Sequence, residues 1–180
     1  MSFFLPFSRV RVGDYFNDQT QFKLQSQLYE RFILEYFRYH HPEIRANARQ
    51  IKWDLDEGND ESMIQFLPTM QTDITLEYLD RTLIIDAKYY GKTMQSRWED
   101  KKKYHSQNMY QIFTYVKNHD CHRTGQVSGM LLYAKTDEDI TPNAKMSIGG
   151  NWISVKTLDL NCSFDEIQNQ LDLISWELKA

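Results

Sequence analysis

The sequence predicts one α/β domain over residues 1–180, in the order helix, three-stranded meander, helix, strand, and then a closing strand and helix. Three observations predict it. Apolar residues recur at helical spacing in long stretches near both ends and in the middle. Between them lie short runs rich in β-branched and apolar residues, bounded by polar turn residues. No repeat, low-complexity tract or linker divides the chain, and the core is expected at about residues 19–134.

From Gln19 to His40 the residues Phe22, Tyr29, Phe32, Ile33, Tyr36 and Phe37 keep helical spacing. Asp18 and Thr20 are candidate caps, and Pro42 ends the helix. A first strand is expected around Gln50 to Leu55, closed by the polar loop DEGNDES. Met70–Tyr78 and Arg81–Tyr89 read as a hairpin, and a second helix is expected from about Glu99 to Asn118. In that helix His105, Met109, Ile112 and Val116 form the core stripe, beside a polar-aromatic stripe of Tyr104, Asn108, Gln111 and Tyr115. Val127–Ala134 is a strongly apolar strand, Ile153–Leu158 another, and Phe164–Leu178 an amphipathic helix capped by Ser163.

A hydrophobic fraction of 41% excludes a disordered tail, and no apolar run approaches the roughly 20 residues needed to cross a bilayer. With no leader pattern at its start, the protein is expected in the cytoplasm. Cys121 and Cys162 lack the spacing of a zinc site and are read as reduced thiols. A net charge of −4 argues against coating nucleic acid by bulk electrostatics. It leaves room for a local basic track, since Lys88, Lys92, Arg97, Lys101, Lys102 and Lys103 lie within sixteen positions. The lysine run 101–103 reads as a solvated helix start, or as a DNA contact if it faces the site.

The stretch LIIDAKYY places Asp86 and Lys88 straight after a run that should be buried, where ionised groups are costly. Alternation puts Ile84, Asp86 and Lys88 on one strand face, and Gln71, Asp73 and Thr75 on one face of the preceding strand. A hairpin symmetric about Leu79-Asp80 sets residue 73 against 86 and 71 against 88. Leu-Asp is a poor two-residue turn, so a four-residue loop, Tyr78 to Arg81, is expected. Asp73 and Asp86 would then face each other at about 5 Å between Cβ atoms. Two such carboxylates repel unless one is protonated or a cation lies between them, and a hard ion such as magnesium suits the pair.

The segments LYERFI, IKWDLD, LPTMQTDITL, LIIDAKYY and NMYQIFTYV carry a family resemblance, in order, from about Leu28 to Leu132. Together they resemble the nuclease domain of the McrC family, within the PD-(D/E)xK nuclease superfamily with its restriction-endonuclease-like core. The resemblance implies a Mg²⁺-dependent DNA endonuclease (Mn²⁺ substituting) that serves as the cleaving subunit of a modification-dependent restriction or phage-defence system. It makes Asp73 and Asp86 the metal ligands, with the Ala87 carbonyl as a backbone ligand and Lys88 as the catalytic lysine. Glu30 and Gln111 match supporting positions, and Gln71 is a further support on the same face. On a helical wheel Glu30 and Glu35 border the apolar face equally; the LYERFI match selects Glu30.

Family members carry an N-terminal region that engages an McrB-like AAA+ GTPase. Here about 27 residues precede the first nuclease helix, so that region is expected to be absent. The chain would then act alone, or take its targeting from a separate polypeptide. Cutting both strands requires two sites, hence a homodimer or paired assembly. Two alternatives stand beside this reading: a catalytically silent module that binds nucleic acid or a partner, and a repair or junction nuclease.

Overall fold

The computed structural model describes residues 12–89, 94–96, 102–138 and 141–180. Its central sheet has six strands: β1 (Arg45–Asn47), β4 (Ile74–Tyr78), β5 (Arg81–Lys88), β8 (Val127–Ala134), β10 (Asn151–Leu158) and β9 (Ala144–Ile148), in that spatial order. The β5–β8 and β8–β10 pairs are parallel and the others antiparallel, so the sheet is mixed. Two small ribbons lie apart from it: β2 (Gln50–Ile51) with β3 (Met70–Gln71), and β6 (Met94–Ser96) with β7 (Lys102–Tyr104).

Helices cover both faces. α1 (Val12–His40) and α4 (Phe164–Lys179) bury Ile33, Phe37, Leu171 and Ile174 against Ile74, Leu76, Ile85 and Leu132. On the other face α3 (Ser106–His119) sets Ile112 and Val116 against Ile84, Leu131, Ile153 and Val155. β5 and β8 are therefore buried on both sides, which explains the continuous apolar runs Leu83–Ile85 and Met130–Ala134 within them. Gly129 of β8 lets α3 approach closely: a Cβ there would stand 2.8 Å from both Ile112 Cγ1 and Val116 Cγ2.

The layers match the expected α/β architecture, and several boundaries differ. α1 already runs through Val12–Thr20, so Asp18 and Thr20 lie inside the helix and do not cap it; no glycine or proline interrupts residues 14–40. The strand expected from Gln50 to Leu55 is only Gln50–Ile51, and β1 takes its place in the meander, pairing Arg45 with Glu77. A one-turn helix, α2 (Glu61–Ile64), occupies the polar loop, with Asp60 accepting from the Ser62 amide. α3 starts at Ser106, because Lys102–Tyr104 pairs as a strand with Met94–Ser96 instead of opening a helix. β9, which was not expected although Ala144–Ile148 alternates apolar and polar residues, closes the far edge.

α4 carries the expected cap: Ser163 Oγ accepts from the Glu166 amide, and the Glu166 carboxylate accepts from the Ser163 amide. At the end of α3, buried Asp120 accepts from Asn151 Nδ2, from the Thr124 amide and hydroxyl, and from the Gly125 amide. Burial works against its charge, yet these bonds hold the carboxyl down at about 2. Both cysteines are free thiols, and no helix among the described residues is long and apolar enough to cross a membrane.

Candidate active site

The β4–β5 hairpin runs Tyr78↔Arg81, Leu76↔Leu83 and Ile74↔Ile85. Its loop is the two-residue Leu79-Asp80, not the expected four-residue one, because Tyr78 and Arg81 are themselves paired. Leu79 meets the turn's demand by adopting φ 53° at an exposed position. The register is the one alternation implies, and its continuation brings residue 73 level with 86.

The strand expected over Met70–Tyr78 is broken at Thr72-Asp73. Buried Thr72 fastens to Arg49: its amide donates to the Arg49 carbonyl at 2.8 Å, and its hydroxyl accepts from the Arg49 amide at 2.9 Å. That clamp carries β3 onto β2 and leaves Asp73 in a bend at the mouth of the hairpin. Asp73 Oδ2 then accepts a 2.8 Å hydrogen bond from the Ala87 amide, which fastens the bend to β5. Gln71 is drawn the other way. It pairs with Gln50, is exposed, and gives its side-chain amide to the Arg49 and Thr72 carbonyls, so it does not stand opposite Lys88 as expected.

Asp86 is 2% exposed. Its Oδ1 accepts from Lys88 Nζ at 2.9 Å, and its Oδ2 lies 2.8 Å from the same nitrogen without the angle for a hydrogen bond. Oδ2 is thus a buried oxygen with no donor. Burial pushes the Asp86 carboxyl up to about 7; Lys88 counters this and the facing Asp73 reinforces it. Burial likewise raises Asp73, against the Ala87 amide bond and the positive charge of Lys88. The two carboxyls are close enough to share a hydrogen bond, as expected of a facing acid pair with one proton between them.

Glu30 reaches this group from α1. It is half-buried, and its carboxyl is raised to about 7 by burial and then by Asp73, with Lys88 opposing. Glu35, its equal on the helical wheel, instead pairs with Arg38 at the surface, 2.8 Å away. Ala87 is buried in β5. Gln111 stands partly buried on α3 and donates to the Tyr115 hydroxyl at 3.2 Å. Of the basic track, Lys103 is exposed, while Lys92, Lys101 and the side chain of Lys102 lie outside the described residues.

The polar stripe of α3 is less open than its composition implied. Asn108 and Tyr115 are buried, and Asn108 Nδ2 donates to the Tyr133 hydroxyl at 2.9 Å. Tyr133 pairs with Lys88 across the parallel β5–β8 ladder. Sequence reading did not connect these residues; the available signal was a phenol near the end of the strongly apolar β8 and an amide in the polar stripe of α3.

The donor set fits a hard divalent cation. Two facing carboxyls, one with an orphaned buried oxygen, offer charge and oxygen where a proton must otherwise serve. Among the described residues no cluster of three His, Cys, Asp or Glu side chains closes a cage, so backbone, water and ligand oxygens would complete the shell.

Residues 22–134 match the family model described as "McrBC 5-methylcytosine restriction system component". Over 158 residues the chain is 34% identical to the type IV methyl-directed restriction enzyme EcoKMcrBC of Escherichia coli strain K12. The match covers 87% of this chain and 44% of that relative, so the chain spans less than half the relative's length. The candidate site, from Glu30 to Tyr133, lies inside the matched segment, and the chain belongs to the McrBC 5-methylcytosine restriction system component family.

Proposed function

We propose that the protein is a divalent-metal-dependent DNA endonuclease of the PD-(D/E)xK type, acting as the cleaving component of a restriction system. The observation that carries this reading is the buried Asp73–Asp86 pair with Lys88 beside it at the end of the β4–β5 hairpin. Family membership supports the restriction role, and the relative's description as a methyl-directed restriction enzyme supports DNA as the substrate.

Asp73, Asp86 and the Ala87 carbonyl would hold the cation, Mg²⁺ or Mn²⁺. When bound, the ion supplies Lewis-acid polarisation of the scissile phosphate and lowers the pKa of an attacking water. Lys88 places a positive charge where the phosphate oxygens gather charge during the displacement. Glu30, with its raised pKa, is suited to exchange a proton with water at the rim of the pair. The Ala87 amide keeps Asp73 turned inward, so the ligand geometry is set before substrate arrives. The reaction exchanges one P–O ester bond for a P–O bond from water. Lys92, Lys101, Lys102 and Lys103 are assigned to phosphate contacts along the duplex. A second copy or paired assembly would cut the other strand, and an McrB-like GTPase is the partner the family suggests.

The test is plasmid cleavage with Mg²⁺, with and without a GTP-hydrolysing partner, by wild type, Asp86→Ala and Lys88→Ala. The reading expects cleavage by wild type and a loss of at least about a hundredfold in each variant. Equal cleavage by all three proteins rejects the assignment. No cleavage by wild type under either condition points to a silent module.

A further inference from the structure

Tyr133 and Asn108 form a polar pair where packing alone favours hydrocarbon. Tyr133 is fully buried in β8, within the apolar cluster that joins the sheet to α3. Asn108, in the first turn of α3, is 5% exposed and gives its amide to the Tyr133 hydroxyl at 2.9 Å. The bond between them offsets part of the cost of burying a phenol and an amide at that depth; apolar residues of similar shape would fill the space without that requirement.

Their position relative to the site is specific. The parallel register makes Tyr133 the neighbour of Lys88, so the phenol ring and the lysine stem rise side by side from one face of the sheet. On the other flank the β4–β5 ladder ends at Ile74↔Ile85, where Thr72 has pulled the preceding chain onto β2. Among the described strands, Lys88 therefore has one in-register neighbour, and it is Tyr133. The lysine side chain is only 14% exposed, and its ammonium leans back over Asp86.

We infer that Tyr133, fixed by Asn108, is a positioning residue for Lys88. The ring walls the lysine stem on the β8 side, and the Asn108 bond sets where that wall stands. The ammonium is thereby directed to the carboxyl pair and away from the surface over β8. The geometric part stands on the β5–β8 register and the Asn108–Tyr133 bond alone; its catalytic consequence rests on the nuclease reading above.

The experiment separates the two. Protein carrying ¹³C at the lysine ε-carbon is compared as wild type, Tyr133→Phe, and the double variant Tyr133→Phe/Asn108→Leu, which removes the unmet amide as well as the hydroxyl. The Lys88 signal is assigned by its loss in Lys88→Arg. Kinetics with Mg²⁺ are measured on the same proteins. The expected result is a displaced Lys88 signal in both variants with the other lysines unmoved. With it comes a kcat about tenfold lower while KM for DNA stays within about twofold. Thermal stability should recover in the double variant while kcat stays low. A Lys88 signal at its wild-type position in both variants overturns the inference, as does a kcat that recovers together with stability. If the signal moves although wild type cuts no DNA, the positioning stands and the nuclease reading fails.

Discussion

Lys88 Nζ lies within 2.9 Å of both carboxylate oxygens of Asp86, two residues back on the same strand face. The ammonium acts as a built-in counter-ion for a nearly inaccessible acid. A metal ion entering the pair must compete with it for Asp86.

Replacing Lys88 with methionine, which keeps the apolar stem, removes that competitor. Lys88→Met is expected to bind Mn²⁺ several-fold tighter than wild type while losing cleavage. Titration calorimetry checks the first half and plasmid nicking the second. Weaker Mn²⁺ binding in the variant would show that the ammonium helps build the site instead of contesting it.

Stability should depend on pH in a defined direction. Asp86 and Glu30 both titrate at about 7 in the folded, metal-free protein, above the roughly 4 of an unfolded carboxyl. The folded state holds protons that the unfolded state has released, so this contribution is fully present at acidic pH and is lost as pH rises through about 7. The thermal midpoint of wild type should fall between about pH 5 and pH 8 more steeply than that of Asp86→Asn. Mg²⁺ should restore wild type at the alkaline end, where the carboxyls are free to bind it. A melting series at three pH values, with and without the ion, measures this; parallel profiles for the two proteins would contradict it.

Gly129 tests the packing that brings α3 to the sheet. A methyl group there would press into Ile112 and Val116 at 2.8 Å, so Gly129→Ala should cost about 2 kcal/mol in denaturant unfolding. A neutral result would mean that α3 sits less tightly than described.

The buried centre of the fold was legible in the sequence and its edges were not. Val127–Ala134 shows as a strand because both its faces are covered, and Ser163 announces α4 through its reciprocal bonds with Glu166. The break at Thr72 was hidden, because it depends on Arg49, more than twenty residues away, lying opposite. β1 is an edge strand of three residues, too short to show a two-residue alternation, whereas Ala144–Ile148 of β9 does alternate apolar and polar and was passed over as a short edge run. Lys102–Tyr104 passed for a helix start because three lysines have no strand signature of their own.

The candidate site was legible where local geometry determined it. Strand alternation and a symmetric hairpin were enough to bring Asp73 and Asp86 together, with Lys88 beside them. Gln71 was misplaced because the same logic assumed an unbroken strand. Glu30 and Glu35 could not be separated on a helical wheel, since only the third dimension shows Glu30 beside Asp73 and Glu35 beside Arg38. Asn108 and Tyr133 lie in different elements, and their bond follows from a parallel register that no local pattern encodes.

The most direct measurement is calorimetric titration of Mn²⁺ at pH 8 into wild type, Asp73→Asn and Asp86→Asn. A cation held between the two carboxyls predicts a site in wild type that weakens by at least about tenfold in each variant, with all three proteins folded. Binding of equal strength in the three proteins, or no binding in wild type, would contradict the account.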